Sequence, residues 1–557
     1  MKKIKPLLLS SLLIVPIFST SCFNLYKEDK EADFSKKNYS FYNVSNEYDI
    51  PTQRFSFYYY KNSNVPYVDI NETIRKLEGL FDLKNYYKKE SWISPKVSYY
   101  TGNGSLDVNW KQNKLSFYSS YFSNFTKDTQ QTDYSRNIKY STTFYKDFSP
   151  EKIVMDLNKY NFDVYRFNKK TLIPFALFNT LFCSPNYYNL YFNSEKIIGA
   201  DFGLNDRMKY IENVRKSKIA NTEAPKDVRE ATFNHLSLVM NYFYGLKEYK
   251  NVDDFKDVLS LKKYKEKILS RKSSVYNEAY ADFFYGYLNE LHTSMSMLSF
   301  YDKPEAKIKD LGEKIQSAYK KAYNEKHNLL SKKREKLWGN RYLRYIGNNT
   351  AVISFDEFLT GTKEEISSSE AYKYDTYELF KYLMNEIKNN KNIKKIIIDL
   401  SLNGGGNTAA MWKALGFLTN KKLLHHSYNN LNDTIHTTGV DVDANGDGDY
   451  EDDDAYTEYD WYVLAGINTF SAANQFVNIV KEMKIAKVIG QKTGGGMCSI
   501  VPMVLVDGTS IIISSNSALK HKKNNTFMST EGGLYPDINL DYNDFYNDDK
   551  LSQLVNE

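Results

Sequence analysis

The stretch GINTFSAANQF, Gly466 to Phe476, sets a serine, Ser471, between an apolar run, WYVLA, and a segment with helical spacing. A serine at a strand-to-helix junction has two uses. Its side-chain oxygen can cap the helix by accepting an N–H of the first turn. Alternatively it can attack, because those same N–H groups favour negative charge developing beside it. The stretch is not a GxSxG elbow. Two glycine runs bear on the choice. IIIDLSLNGGGN, Ile396 to Asn407, is an apolar strand running into Gly404, Gly405 and Gly406, and AKVIGQKTGGG repeats strand-into-glycine shortly after the serine. Successive glycine N–H groups can line a nest for an anion, although glycines after a strand are also ordinary turn formers.

A second chemistry is written in DVDANGDGDYED, Asp441 to Asp452. Asp441, Asp443, Asn445, Asp447 and Asp452 stand at positions 1, 3, 5, 7 and 12 of a calcium loop, with Gly446 at the turn and Asp449 at position 9. Asp452 replaces the usual bidentate glutamate, and flanking helices are not evident. The other reading is an acidic, solvated loop. So many carboxylates repel one another without a cation, which favours a structural calcium ion.

The elements that must position these residues alternate from about residue 340 onward. NNTAVISFDEF reads as a strand, AYKYDTYELFKYLMNEIKNN as a helix, IKKIIIDL as a buried strand, TAAMWKALGFLTN as a helix, WYVLAGI as a strand and AANQFVNIVKEMK as a helix. Such alternation predicts an α/β layered domain, with its site where strands end and helices begin. Upstream, about 225–337 reads as helical; EAKIKDLGEKIQSAYKKAYNEKHNLLSKK puts Ile308, Leu311, Ile315, Ala318 and Ala322 on one face of an amphipathic surface helix. About 40–220 is rich in Tyr, Phe, Asn and Ser. Its short alternating stretches, RFSFYYY and KLSFYSSYF among them, read as strands of an α+β accessory region with a faint internal repeat.

At 557 residues the chain exceeds one core. A formal charge of +6, from 74 basic and 68 acidic residues, gives no case for a nucleic-acid partner. MKKIKPLLLSSLLIVPIFSTSC has a basic start, a short apolar run and small residues before Cys22, the pattern of a secretory signal. Its end, FSTSC, resembles a relaxed bacterial lipobox, which implies lipidation at Cys22 and a polar tether after it. Only Cys183 and Cys498 remain, without zinc spacing. His425 and His426, adjacent, are read as surface residues.

Six stretches in order over about 280–542 resemble motifs of the S41 family of serine peptidases, the C-terminal processing and tricorn-core group. They are NELHTSMS, NNTAVISFDEF, IIIDLSLNGGG, NTFSAANQF, AKVIGQKTGGG and EGGLYPDINL. The processing branch uses a Ser–Lys dyad, but the position of that lysine is Gly496 here, Lys492 falls early, and no PDZ domain is evident. The tricorn-like branch is the closer pattern. That resemblance implies Ser471 as nucleophile, His292 as base and Glu531 as the residue orienting it. It also implies an oxyanion hole from Ala472 N–H and the Gly404–Gly406 loop, Gly405 first. Asp399 reads as an anchor of the strand end and glycine loop, and Ser401 stands where family members carry an arginine, so any ion pair made by that arginine is expected to be absent.

The resulting expectation is an α/β, S41 (ClpP/crotonase-like) layered protease domain with a helical lead-in and an N-terminal α+β accessory region. Its boundaries are 1–22 signal and lipobox, 23–39 tether, 40–224 accessory region, 225–337 helical region, and 338–545 peptidase core with an acidic insertion at 439–456. The expected function is hydrolysis of peptide bonds by an exported, membrane-anchored serine peptidase needing no cofactor for catalysis. The rival is an inactive peptidase-fold lipoprotein that binds peptides or host proteins. Oligomeric state is left open by the sequence.

Overall fold

Ile396, Ile397 and Ile398 explain the centre of the molecule. They lie in the strand Lys395–Asp399, fully buried, between parallel neighbours Thr350–Ser354 and Asp460–Ala465. Ile396 and Ile398 face a core built by the helices Thr376–Ile387, Thr408–Gly416 and Ala472–Met483, through residues such as Phe380, Met411 and Phe476. Ile397 faces the opposite way, onto Leu330 and Trp338 of the helix Ala318–Trp338 and Leu551 of Asp548–Asn556. A strand covered on both faces offers no solvated positions along its centre, so Ile396–Ile398 is an unbroken apolar run. Lys487–Gly490 and Ile538–Asn539 extend the parallel order, and Leu343–Ile346 closes the other edge antiparallel, giving six strands.

This computed structural model describes residues 33–118, 120–144, 151–202, 213–450, 453–524 and 526–557. Cys22, most of the tether and Asp452 lie outside the described residues. Among the described residues no helix is long and apolar enough to cross a membrane.

A second sheet collects strands from distant parts of the sequence. Ser294–Met297, just after His292, pairs with Ser510–Lys523, which also pairs with Cys498–Val504 and Leu423–Asn429. Leu423–Asn429 pairs with Thr434–Val442, and that strand pairs with Ile138–Phe144. The last strand comes from the accessory region, which is thereby hydrogen-bonded into this sheet. Elsewhere that region forms a seven-stranded sheet, running from Tyr165–Phe167 at one edge to Tyr188–Phe192 at the other, and a five-stranded antiparallel sheet from Tyr87–Glu90 to Ile153–Asp156. One buried cluster runs from Phe41 through the helix Lys226–Tyr242 to Ala518, so the regions share a core.

Two expectations are corrected. The amphipathic helix is not continuous: Ile308–Ile315 is a 3-10 segment kinked at Gly312, and Ser317 then caps a separate helix by accepting the Lys320 N–H at 3.0 Å. Nor are the adjacent histidines both at the surface. His426 lies in a strand, only 2% exposed, with Nδ1 on Thr437 Oγ1 at 2.8 Å and Nε2 on Glu482 Oε1 at 2.7 Å. Strand alternation turns it inward while His425 beside it is half-buried against Trp412.

Candidate active site

Ser471 occupies the N-cap position of Ala472–Met483, but it does not behave as a cap. Its backbone lies at φ 56°, ψ −121°, and its side chain makes no capping hydrogen bond. A capping serine sits in the extended region and contributes about 1 kcal/mol through that bond. This serine instead holds a conformation that costs a non-glycine residue on the order of 1–3 kcal/mol. Neighbours enforce it: the Ser471 N–H donates to Gly495 O at 2.9 Å, and the Phe470 N–H to Asn403 O at 3.1 Å. Among the described residues the hydroxyl is therefore left uncommitted, at the positive end of a helix.

The first glycine loop packs directly on the serine. A Cβ on Gly405 would stand 2.8 Å from Ser471 Cβ and 3.0 Å from the Ala472 nitrogen, and φ at Gly405 is +107°, so only glycine fits. Asn403, fully buried, shapes the loop by accepting the Gly405 N–H at 2.9 Å and donating to Phe355 O at 3.2 Å. The Gly404 N–H donates to Asp356 O at 3.3 Å. Two of the three loop donors are thus engaged within the protein. Among the described residues, the N–H groups of Gly406 and Ala472 have no hydrogen-bond partner.

His292 follows the wide helical turn Asp282–Leu288 and leads into Ser294–Met297. Its ring packs on Phe470, the residue before the serine, with centroids 4.6 Å apart. Its backbone N–H donates to Glu290 Oε2 at 2.6 Å, and Glu290 Oε1 accepts from Ser514 Oγ at 3.1 Å. Burial holds the imidazole below its ordinary value, opposed by the negative charge of Glu290. Nδ1 is buried with no hydrogen-bond partner. No hydrogen bond joins Ser471 Oγ to His292 among the described residues.

Glu531 is buried, and its carboxylate accepts the Met497 N–H at 2.8 Å. Burial, and then the charge of Glu290, push it up to about 8. The serine and histidine therefore meet around Phe470, while Glu531 stands behind the second glycine loop. Glu290 was not singled out by sequence reasoning. Its place two residues before the histidine was the available signal. Tyr319 also escaped notice; its hydroxyl donates to Gly494 O from the helix Ala318–Trp338. Lys492 is exposed, its ammonium 4.9 Å from the Tyr535 ring centroid, away from the serine.

Asp399 is fully buried and accepts from the Ser401 N–H at 3.0 Å and Ser401 Oγ at 2.5 Å. Its other oxygen faces Arg334 at 3.5 Å, and that guanidinium also pairs with Asp356 at 2.5 Å. The ion pair expected to be missing at Ser401 is supplied instead by a residue from the flanking helix.

The strand Thr434–Val442 runs through Asp441, so the acid-rich loop proper begins at Asp443. Asp441 ends a regular strand, pairs in register with Lys139 and forms an ion pair with Lys422 at 3.0 Å. Asp443 is buried; its carboxylate accepts N–H groups from Gly446 and, at 2.9 Å, Gly448. The Asn445 N–H donates to Asp454 Oδ2 at 2.8 Å, and the Asp447 carboxylate accepts from the Asp449 N–H at 2.9 Å. Counted from Asp443, the donors Asn445, Asp447 and Asp449 keep alternate spacing, Gly448 takes the turn and Asp454 is twelfth. Among the described residues no three acidic, His or Cys side chains are gathered as a metal cage, and Asp452 lies outside them.

Residues 349–540 match the model of a family described as peptidase family S41. The chain is similar to the structure of a lipoprotein from Streptococcus agalactiae, at 15% identity over 60% of this chain and 98% of that one, TM-score 0.38. It is similar to mature CPAF at 12% identity over 59% and 96%, TM-score 0.40. Similarity to the photosystem II D1 C-terminal processing protease reaches 17% identity over 35% and 42%, TM-score 0.25. No curated protein matches the chain.

Proposed function

We propose that this chain, whose residues 349–540 match the model of peptidase family S41, is a serine peptidase that hydrolyses peptide bonds through Ser471 and His292. The observation that carries the reading is the conformation of Ser471, held off the capping geometry with its hydroxyl free. An unaided hydroxyl is a poor nucleophile and needs an adjacent base. His292, kept neutral by burial, takes the Ser471 proton as Oγ attacks the peptide carbonyl. It then hands that proton to the leaving amine. The N–H groups of Ala472 and Gly406 stabilise the oxyanion, each such donor worth about 10²–10³ in rate. Glu531, protonated at neutral pH with its value near 8, acts on the imidazole only indirectly, by holding the glycine loop beside it through the Met497 N–H. Glu290 fixes the backbone of the histidine loop.

The same proposal includes export, with Cys22 as the lipidated first residue of the mature chain. It also includes a structural calcium ion in the Asp443–Asp454 loop. The calcium is supported by donor spacing and by Asp443 and Asp454, whose charges oppose each other across the loop.

A second reading has its own support. The missing Ser471–His292 hydrogen bond suits a peptidase fold that binds peptides without cutting them. Incubation of the chain lacking residues 1–22 with a diverse peptide mixture, beside its Ser471→Ala variant, separates the two. New termini that require the serine, read by mass spectrometry, support the peptidase. Identical peptide profiles from two folded proteins support the binding reading.

A further inference from the structure

Four of the five tryptophans, Trp110, Trp338, Trp412 and Trp461, are at most 8% exposed. Trp92 is 80% exposed, and Ile93 beside it 73%. They sit at the tip of the hairpin joining Tyr87–Glu90 to Lys96–Thr101. Single exposed apolar residues need no explanation. Here two adjacent ones are presented on a loop that its own bonds hold in shape. The Ser91 N–H donates to Lys96 O at 2.9 Å, the Lys96 N–H to Ser94 O at 2.7 Å, and Ser94 Oγ to Ser91 Oγ at 2.8 Å. Tyr87, 54% exposed and stacked on Tyr100 at 4.7 Å, extends the aromatic surface. Beside the tip Lys89 is exposed, while Lys88 is paired with Glu90 at 2.8 Å and Lys96 with Asp107 at 3.2 Å.

The tip also lies at an informative place. Glu90, which leads into it, pairs with Arg166 at 2.6 Å. The neighbours of Arg166 in the chain, Tyr165 and Phe167, pack on Phe34 with ring centroids 5.1 and 5.3 Å away. Phe34 begins the first strand. The base of the hairpin tip and the N-terminal end of the described chain therefore both contact the edge strand Tyr165–Phe167, from its two faces. Fully extended, the segment from Cys22 to Asp33 reaches at most roughly 40 Å.

We propose that the hairpin tip at Ser91–Pro95 docks on an anionic phospholipid surface. Trp92 and Ile93 enter the boundary between headgroups and acyl chains, and Lys89 meets the phosphates. The amphipathic ring of tryptophan suits that boundary, and lysines close to an anionic leaflet are drawn to it. An acyl anchor holds better with a second membrane contact. With Cys22 lipidated, this contact would fix how the accessory region faces the bilayer. The inference rests on the proposed anchor for that orientation only.

Trp92 is its own reporter, because the other tryptophans are already buried. The chain from residue 23 onward, which keeps every described residue and carries no lipid, is mixed with two kinds of vesicle. One is phosphatidylcholine alone; the other is phosphatidylcholine with phosphatidylglycerol at roughly three to one. The expected result with the anionic vesicles is a blue-shifted emission, several-fold weaker acrylamide quenching and co-sedimentation. Raising salt to about 0.5 M should weaken binding several-fold. The paired variant Trp92→Ala, Ile93→Ser should stay in the supernatant with its melting temperature unchanged. No spectral shift, equal binding to neutral vesicles, or a variant that still sediments would each overturn the proposal. Since the assay reads neither lipidation nor cleavage, failure of the anchor or of the peptidase reading is a separate result.

Discussion

Gly496 and His292 share one space: a Cβ on the glycine would stand 3.1 Å from the imidazole Cε1 and 2.6 Å from the Phe470 ring. This is the position at which the Ser–Lys pattern calls for its lysine. Here the backbone, at φ +83°, gives way to the ring. Gly496→Ala should therefore displace His292 and lower kcat/KM at least tenfold, chiefly through kcat, in steady-state assays on a cleaved peptide. Gly496→Lys should not restore activity to a His292→Ala chain. A Gly496→Ala enzyme within twofold of wild type would show that the imidazole is not held there for catalysis.

The base must be neutral to accept a proton, and burial lowers the value of His292 from 6.5. The acidic limb of kcat/KM against pH should thus lie on the acid side of 6.5. Glu290→Gln removes the negative charge that raises the imidazole, so the limb should move further toward acid. Movement toward neutrality would exclude His292 as the titrating base.

Glu531 links the site to stability. Its folded value of about 8 exceeds the ordinary 4.5, so the native state binds the proton more tightly than the unfolded chain. Its contribution is fully present below about pH 4.5 and is lost as pH rises through 8, amounting to about 3–5 kcal/mol. Glu531→Gln, which cannot ionise, should melt near wild type at pH 5 and above it at pH 8.5. Melting curves that stay parallel across this range would remove the buried acid from the account.

Gly405 packs directly on Ser471. Gly405→Ala, with its Cβ 2.8 Å from Ser471 Cβ and its backbone at φ +107°, should abolish turnover while the protein remains folded by circular dichroism. Retained turnover would mean the loop does not border the reacting carbonyl.

Calcium should raise the melting temperature by several degrees and release heat on titration, and Asp447→Ala should cancel both. An unchanged melting temperature with no heat would leave 443–454 an acidic loop closed by its own turns.

Much of the core was legible because its causes are local. Ile396–Ile398 must be buried on both faces, and three glycines after a strand must make a tight loop, so strand and loop could be read in place. The peptidase resemblance, carried by ordered motifs, agrees with the family match over 349–540. What could not be read is non-local. The pairing of Ile138–Phe144 with Thr434–Val442 joins strands almost three hundred residues apart, with no signal in either stretch. Arg334 reaches Asp399 from a helix whose charged face reads as solvated. That Asp441 belongs to a strand was not legible either, because strand ends are set by the partner. Ser471 was legible as a residue but not as a conformation. Cap and nucleophile share one sequence and differ in φ, ψ and a single hydrogen bond.

The most direct measurement is therefore of the hydroxyl itself. The folded chain is treated with an organic fluorophosphonate, and the modified residue is located by intact mass and tandem mass spectrometry. The account predicts one adduct, on Ser471, that forms faster at pH 7 than at pH 5 and is lost in His292→Ala. An unmodified Ser471 in a folded protein, or labelling that does not depend on His292, would contradict it.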